Sequence, residues 1–174
     1  MSGELKIGFY AGSFDPITRG HLDVMWQALT VFDKLVVTVG RNSTKQPLFP
    51  YAERREMIIE ACAQFPDAKE RIRAIHFSGG MAEAARSAGA THLVRAFRQA
   101  SDFNDEFGIH GVMERIAPDL PMVYLICQSD YLHVSSSTAR ELGRIGEDMS
   151  WLVPANVEQR LKAHYANLDA SICS

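Results

Sequence analysis

The stretch "KIGFYAGSFDPITRGHLDVMWQAL", Lys6 to Leu29, changes its hydrophobic period midway, and the fold turns on that change. It opens with a short apolar run, Lys6–Tyr10, of the kind that suits a parallel strand covered on both faces. Leu22, Met25, Trp26 and Leu29 then recur at helical spacing. Between them lies "GSFDPITRGH", Gly12 to His21. Gly12 permits a tight turn, Pro16 stiffens the loop and Thr18 suits the N-cap of the helix. Gly20 and His21 fall in the first helical turn, where free backbone N–H groups and the helix dipole favour an anion. Gly20 leaves room for close approach, and His21 adds a directed donor. Alone, the segment reads as an ordinary capped turn with a histidine or as a phosphate cradle.

Further along, the same alternation repeats. Lys34–Gly40, Ile72–Phe77, His92–Arg95 and Met122–Ile126 read as strands. Helical spacing returns at Ile58, Ala61, Cys62 and Phe65, and again at Ile109, Val112, Met113 and Ile116. "GGMAEAARSAGA" is a short helix closed by Gly89. The sum is five strand–helix units, hence an α/β fold with a parallel sheet. Two more helices are expected near Thr138–Leu142 and Val157–Tyr165, with Asn156 as a cap and "NLDASICS" as a frayed end. The 174 residues fit one domain with a C-terminal helix over about 156–165 and a loose tail.

A net charge of −3 argues against a generic nucleic-acid binder, though not against a local basic pocket. The three cysteines, Cys62, Cys127 and Cys173, are too widely spaced for a zinc site or a disulfide framework. Cys62 and Cys127 stand in apolar surroundings and read as core. No signal sequence or membrane-length apolar run is present, so the cytoplasm is the expected location. The P-loop, dinucleotide-fingerprint, hydrolase-elbow and zinc-protease motifs are missing, and no metal ligand set is expected.

In an open parallel sheet, ligands gather beyond the carboxyl ends of the strands. Three loops there resemble the first in chemistry. "GRNSTKQP" places Lys45 after strand two. "VRAFRQASDFNDE" places Arg95 and Arg98, whose planar forks match phosphate, after strand four. Ser101 or Asp102 is expected to cap the next helix, with Glu106 in its early turns. "SDYLHVSSSTAR" runs Ser135, Ser136 and Ser137 directly into a helix, and Thr138-x-x-Glu141 fits a capping box.

Taken together and in order, these segments resemble the nucleotidyltransferases marked by an (H/T)-x-G-H element, here Thr18-Arg19-Gly20-His21. Within that superfamily the chain is similar to the bacterial phosphopantetheine adenylyltransferases, over about Lys6 to Pro154. The resemblance implies a Rossmann-like, doubly wound, five-stranded parallel sheet with helices on both faces, usually in a homo-hexamer. It implies transfer of AMP from ATP to 4′-phosphopantetheine with Mg²⁺, and coenzyme A as a feedback ligand.

Carried over residue by residue, the resemblance puts Ser13 and Phe14 at ATP, with Ser13 also near the acceptor's phosphate. His21 stabilises the transition state, supported by Thr18 and Gly20. Lys45, Met81 and Arg95 contact phosphopantetheine. Ala96, Phe97 and Arg98 surround the nucleotide, Glu106 meets its ribose or adenine side, and Tyr131, Leu132, His133, Val134, Ser135, Ser136 and Ser137 hold ATP. Three stretches depart from the family pattern, one of them "FSGGM", Phe77 to Met81, which is more glycine-rich than usual. Ala96 and Phe97 replace a Gly-Leu pair, and Asp105 replaces a tyrosine. These bear on nucleotide affinity and feedback more than on the chemistry. The alternatives are a nicotinate-mononucleotide adenylyltransferase, which typically has histidine where this chain has Thr18, and a nucleotide-binding regulator without catalysis.

Overall fold

Residues 4–40, 46–77 and 79–172 are described by the computed structural model, without the side chains of residues 105 and 169–172. Lys45 and Cys173 therefore lie outside the described residues. Five strands, β1 (Ile7–Gly12), β2 (Lys34–Val39), β3 (Ile72–His76), β4 (His92–Phe97) and β5 (Met122–Ile126), form one all-parallel sheet in the order β3-β2-β1-β4-β5. The helices are α1 (Arg19–Val31), α2 (Tyr51–Cys62), α3 (Ala68–Arg71), α4 (Met81–Ser87), α5 (Ala100–Ile116), α6 (Ser136–Ile145) and α7 (Ala155–Ile172), with a 3₁₀ turn at Ser129–Tyr131.

Strand side chains alternate between faces, and each face has its own core. Tyr10, Leu35, Val37 and Val94 pack with α1, α2, α6 and α7, while Phe9, Val36 and Leu93 pack with α4 and α5. The second core is the thinner in having fewer buried residues, and α4 brings Ala82, Ala84 and Ala85 to it. Both expected core cysteines are buried, and burial pushes the Cys62 thiol up to about 12 and Cys127 to about 11. No described helix is long and apolar enough to cross a membrane.

The sheet splits where the site forms. β1 and β4 pair only at Gly8–His92, Phe9–Leu93 and Tyr10–Val94. Beyond those pairs, Ala11 and Gly12 stay with β2, whereas Arg95, Ala96 and Phe97 stay with β5. β1 and β4 also flank the point where the chain crosses from one half of the sheet to the other, the usual place for a ligand crevice.

Several helix ends differ from expectation. α6 is capped by Ser135, whose Oγ accepts from Thr138 N at 3.0 Å, so Thr138 is the third helical residue rather than the cap. α5 is capped by Gln99, with Asp102 reaching back to its N–H. Asn156 is already helical, and its amide donates to Met57 O and Glu60 Oε2. α7 continues to Ile172, and no glycine or proline interrupts it. Phe65 lies past the end of α2. On α5 only Met113 of the expected apolar stripe is buried, while Ile109, Val112 and Ile116 are exposed.

Candidate active site

The loop after β1 is held from within. Phe14 has φ of 45°, uncommon for a bulky residue. Its ring is 1% exposed and meets Tyr10 and His21 edge-to-face, with centroids 5.4 and 5.0 Å apart. A side chain at residue 12 would put its Cβ 2.8 Å from that ring, so Gly12 makes the space Phe14 fills. Phe14 thus offers the cleft its backbone, not its ring. Buried Asp15 accepts from Leu48 N (2.7 Å) and Phe49 N (3.0 Å), and Arg140 stands 3.7 Å from it. Asp15 thereby ties the segment before α2 to the first loop.

Thr18 and His21 form a capping box at the start of α1. The Thr18 N–H donates to His21 Nδ1 at 3.1 Å, and the His21 N–H faces Thr18 Oγ1 at 3.4 Å. Because Nδ1 accepts, the neutral ring carries its proton on Nε2. Burial, with a smaller contribution from the Arg98 charge, lowers the His21 pKa to about 4. At neutral pH His21 is therefore an uncharged Nε2–H donor. Within the protein, a Cβ at Gly20 would meet nothing nearer than 3.7 Å.

From the β4 side, Arg95 binds both carboxylate oxygens of Glu106, and both side chains are largely buried. Arg98 donates from Nη1 to Val134 O at 3.2 Å, which ties the β4 loop to the entry of α6. There Ser135 Oγ caps the helix and Ser136 Oγ donates to Pro16 O at 2.8 Å. With these hydroxyls engaged, α6 presents its first backbone N–H groups to an anion.

These groups meet in one cleft of about 320 Å³. Of the sequence-expected residues it gathers Ser13, Phe14, Thr18, Gly20, His21, Arg95, Ala96, Arg98, Glu106 and Val134 to Ser137. Phe97 instead stacks on Tyr124 at 5.0 Å. Tyr131 lines a neighbouring groove beside Trp26 and Phe65, Leu132 is exposed, and His133 packs on Trp151. Met81 begins α4 and packs in the thinner core. Tyr10, Ala11, Gly12 and Cys127 also line the cleft, although the sequence marks Gly12 only as a turn residue, Cys127 only as core, and the other two not at all as site residues. Each belongs to or follows a strand end, which is where the signal for them lay. Burial raises the Tyr10 pKa, so its hydroxyl stays protonated.

Residues 9–142 match the cytidylyltransferase-like family. The phosphopantetheine adenylyltransferase of Desulforudis audaxviator is 39% identical over 91% of this chain and 94% of that protein. That of Allorhizobium ampelinum is 39% identical over 91% of this chain and 98% of its own length. The chain belongs to the phosphopantetheine adenylyltransferase family. A Plasmodium falciparum nicotinic acid mononucleotide adenylyltransferase complexed with APC superposes with a TM-score of 0.68, covering 95% of this chain and 98% of that one. At 17% identity this second likeness is one of fold.

Proposed function

We propose that the chain transfers AMP from ATP to 4′-phosphopantetheine, releasing pyrophosphate and forming dephospho-coenzyme A. The observation that carries this reading is the parting of β1 and β4, which sets the His21 donor, two arginines and a helix N-terminus around one cleft. The acceptor's phosphate oxygen is the nucleophile. It is ionised at neutral pH, so no general base is required, and a neutral His21 suits that chemistry. In-line attack forms the new bond to the α-phosphorus as the bond to pyrophosphate breaks.

The protein's part is positioning and charge stabilisation. His21 Nε2–H donates to the α-phosphate oxygens. Arg95 and Lys45 aim the acceptor's phosphate. Arg98 and the first N–H groups of α6 hold the departing phosphates, and Glu106 faces the ribose or adenine side. Among the described residues no group of three or more His, Cys, Asp or Glu side chains could hold a metal ion. Mg²⁺ would arrive as MgATP, held chiefly by phosphate oxygens and water. Bound there, Mg²⁺ would supply charge neutralisation to the leaving pyrophosphate.

Assembly as a homo-hexamer is supported by an exposed apolar face. Phe97, Phe103 and Phe107 contact one another in series, and Val112, Ile116 and Ile126 are more than half exposed. Coenzyme A, which contains the product's pantetheine arm, is the expected feedback ligand.

The deciding assay is pyrophosphate release from ATP with 4′-phosphopantetheine or nicotinate mononucleotide as acceptor. Release with the first alone is expected. Release with the second alone overturns the reading, and ATP binding without release with either assigns a non-catalytic nucleotide binder.

A further inference from the structure

Arg54 does not line the cleft, yet it holds the cleft's first loop from behind. It lies in the first turn of α2 and is 7% exposed. Its Nη1 donates to the carbonyl oxygen of Ser13 at 2.7 Å, across 41 positions of sequence. Its Nε is buried without a hydrogen-bond partner. Among the described residues no ion pair is found for Arg54, and the Asp15 carboxylate, two residues beyond Ser13, is engaged by Leu48, Phe49 and Arg140. A buried guanidinium with no counter-charge is unfavourable, and an apolar side chain would serve packing better. Its presence points to a function.

The geometry of one peptide supplies that function. The Ser13–Phe14 peptide is trans, so its carbonyl and its N–H point in opposite directions. Arg54 fixes the carbonyl on the side away from the cleft. The Phe14 N–H is thereby turned the other way, toward the cleft that Ser13 and Phe14 both line. With its ring buried over Gly12, this N–H is what residue 14 has to offer a ligand. The left-handed conformation of Phe14 is held from two sides, by the ring's packing and by Arg54.

We propose that Arg54 is a positioning residue, whose buried guanidinium locks the Ser13–Phe14 peptide so that the Phe14 N–H donates to a nucleotide phosphate. Its charge adds a positive field beneath the same site. This inference rests on the reading of the cleft as an ATP site.

The test compares full-length wild type with Arg54→Met, Arg54→Lys and Arg54→Gln. ATP affinity is read by calorimetry without acceptor, beside melting temperature, kcat and KM for each substrate. Arg54→Met is expected to fold and to bind ATP at least about 10-fold more weakly, as for loss of a charged hydrogen bond. Its KM for the acceptor is expected to stay within about threefold of wild type. Arg54→Lys, which keeps a donor and the charge, is expected to recover most of the ATP affinity. Wild-type ATP affinity in Arg54→Met, or a lysine variant no better than methionine, overturns the proposal. Should the methionine variant not fold, Arg54→Gln decides: an ATP affinity at least about fivefold weaker supports the proposal, and wild-type affinity overturns it. A wild-type protein that binds no ATP would instead sink the reading of the cleft itself.

Discussion

Arg95 closes its guanidinium fork on Glu106, with Nε 2.6 Å from Oε2 and Nη2 on the other oxygen. A fork filled by a carboxylate cannot present the same two donors to a phosphate, so an acceptor using both must displace Glu106.

Arg95→Ala therefore does two separable things. It weakens 4′-phosphopantetheine much more than ATP, and it leaves a largely buried carboxylate unpaired. The stability loss is expected near 2 kcal/mol, below the ~3–5 kcal/mol of a fully buried pair. Adding Glu106→Gln should restore most of the melting temperature and none of the Arg95 share of acceptor binding. Equal weakening of both substrates in calorimetry contradicts the assignment of Arg95.

His21→Ala is expected to lower kcat by about 100-fold or more, as for loss of a transition-state donor. It also removes half of the capping box, worth about 1 kcal/mol of stability. A near-normal kcat removes His21 from the chemistry.

The pH dependence of His21 has a definite sign. Unfolded, the imidazole takes a proton near 6.5; folded, it resists protonation down to about 4. Between those values the unfolded chain binds more protons, so this stability contribution is complete above about 6.5 and is lost as pH falls toward 4. Melting curves of His21→Gln across this window should fall less steeply than wild type. A kcat titration near 6.5 that disappears in His21→Gln would contradict a neutral donor.

Gly12→Ala inserts a methyl group into the Phe14 ring. The expected loss is about 1–3 kcal/mol, as for overpacking, with weaker ATP binding because the loop must shift. Unchanged melting temperature and affinity would show that the ring yields freely.

Val112→Glu places a charge on the exposed face of α5. Sedimentation should report smaller species than wild type, with the monomer's circular dichroism unchanged. An unaltered assembly places the subunit contacts elsewhere.

The five strands could be read closely from sequence because each is a short apolar run between helical patterns. The far ends of β1 and β4 could not: Ala11, Gly12 and Ala96 have weak β preference and are strands because neighbours pair with them. The α5 stripe was legible as a helix, but periodicity reports an apolar face without saying what covers it. In the serine run four hydroxyls compete for one cap, and the Arg98 contact with Val134 helps place the chain just before Ser135. Arg54 belongs to a "TKQPLF…ER" stretch that supports the resemblance, but its contact was not legible, since its partner is a backbone carbonyl 41 residues away. Phe97, Tyr131, Leu132 and His133 sit within or beside the right loops, but their contacts place them off the cleft.

β1 is the middle strand, bonded on both sides, and the loop that carries Ser13 to His21 leaves directly from its end. Its amides should be among the last to exchange with solvent, opening only when the whole sheet opens. Heat inactivation should then coincide with global unfolding, with no earlier stage in which a folded molecule has lost only its first loop.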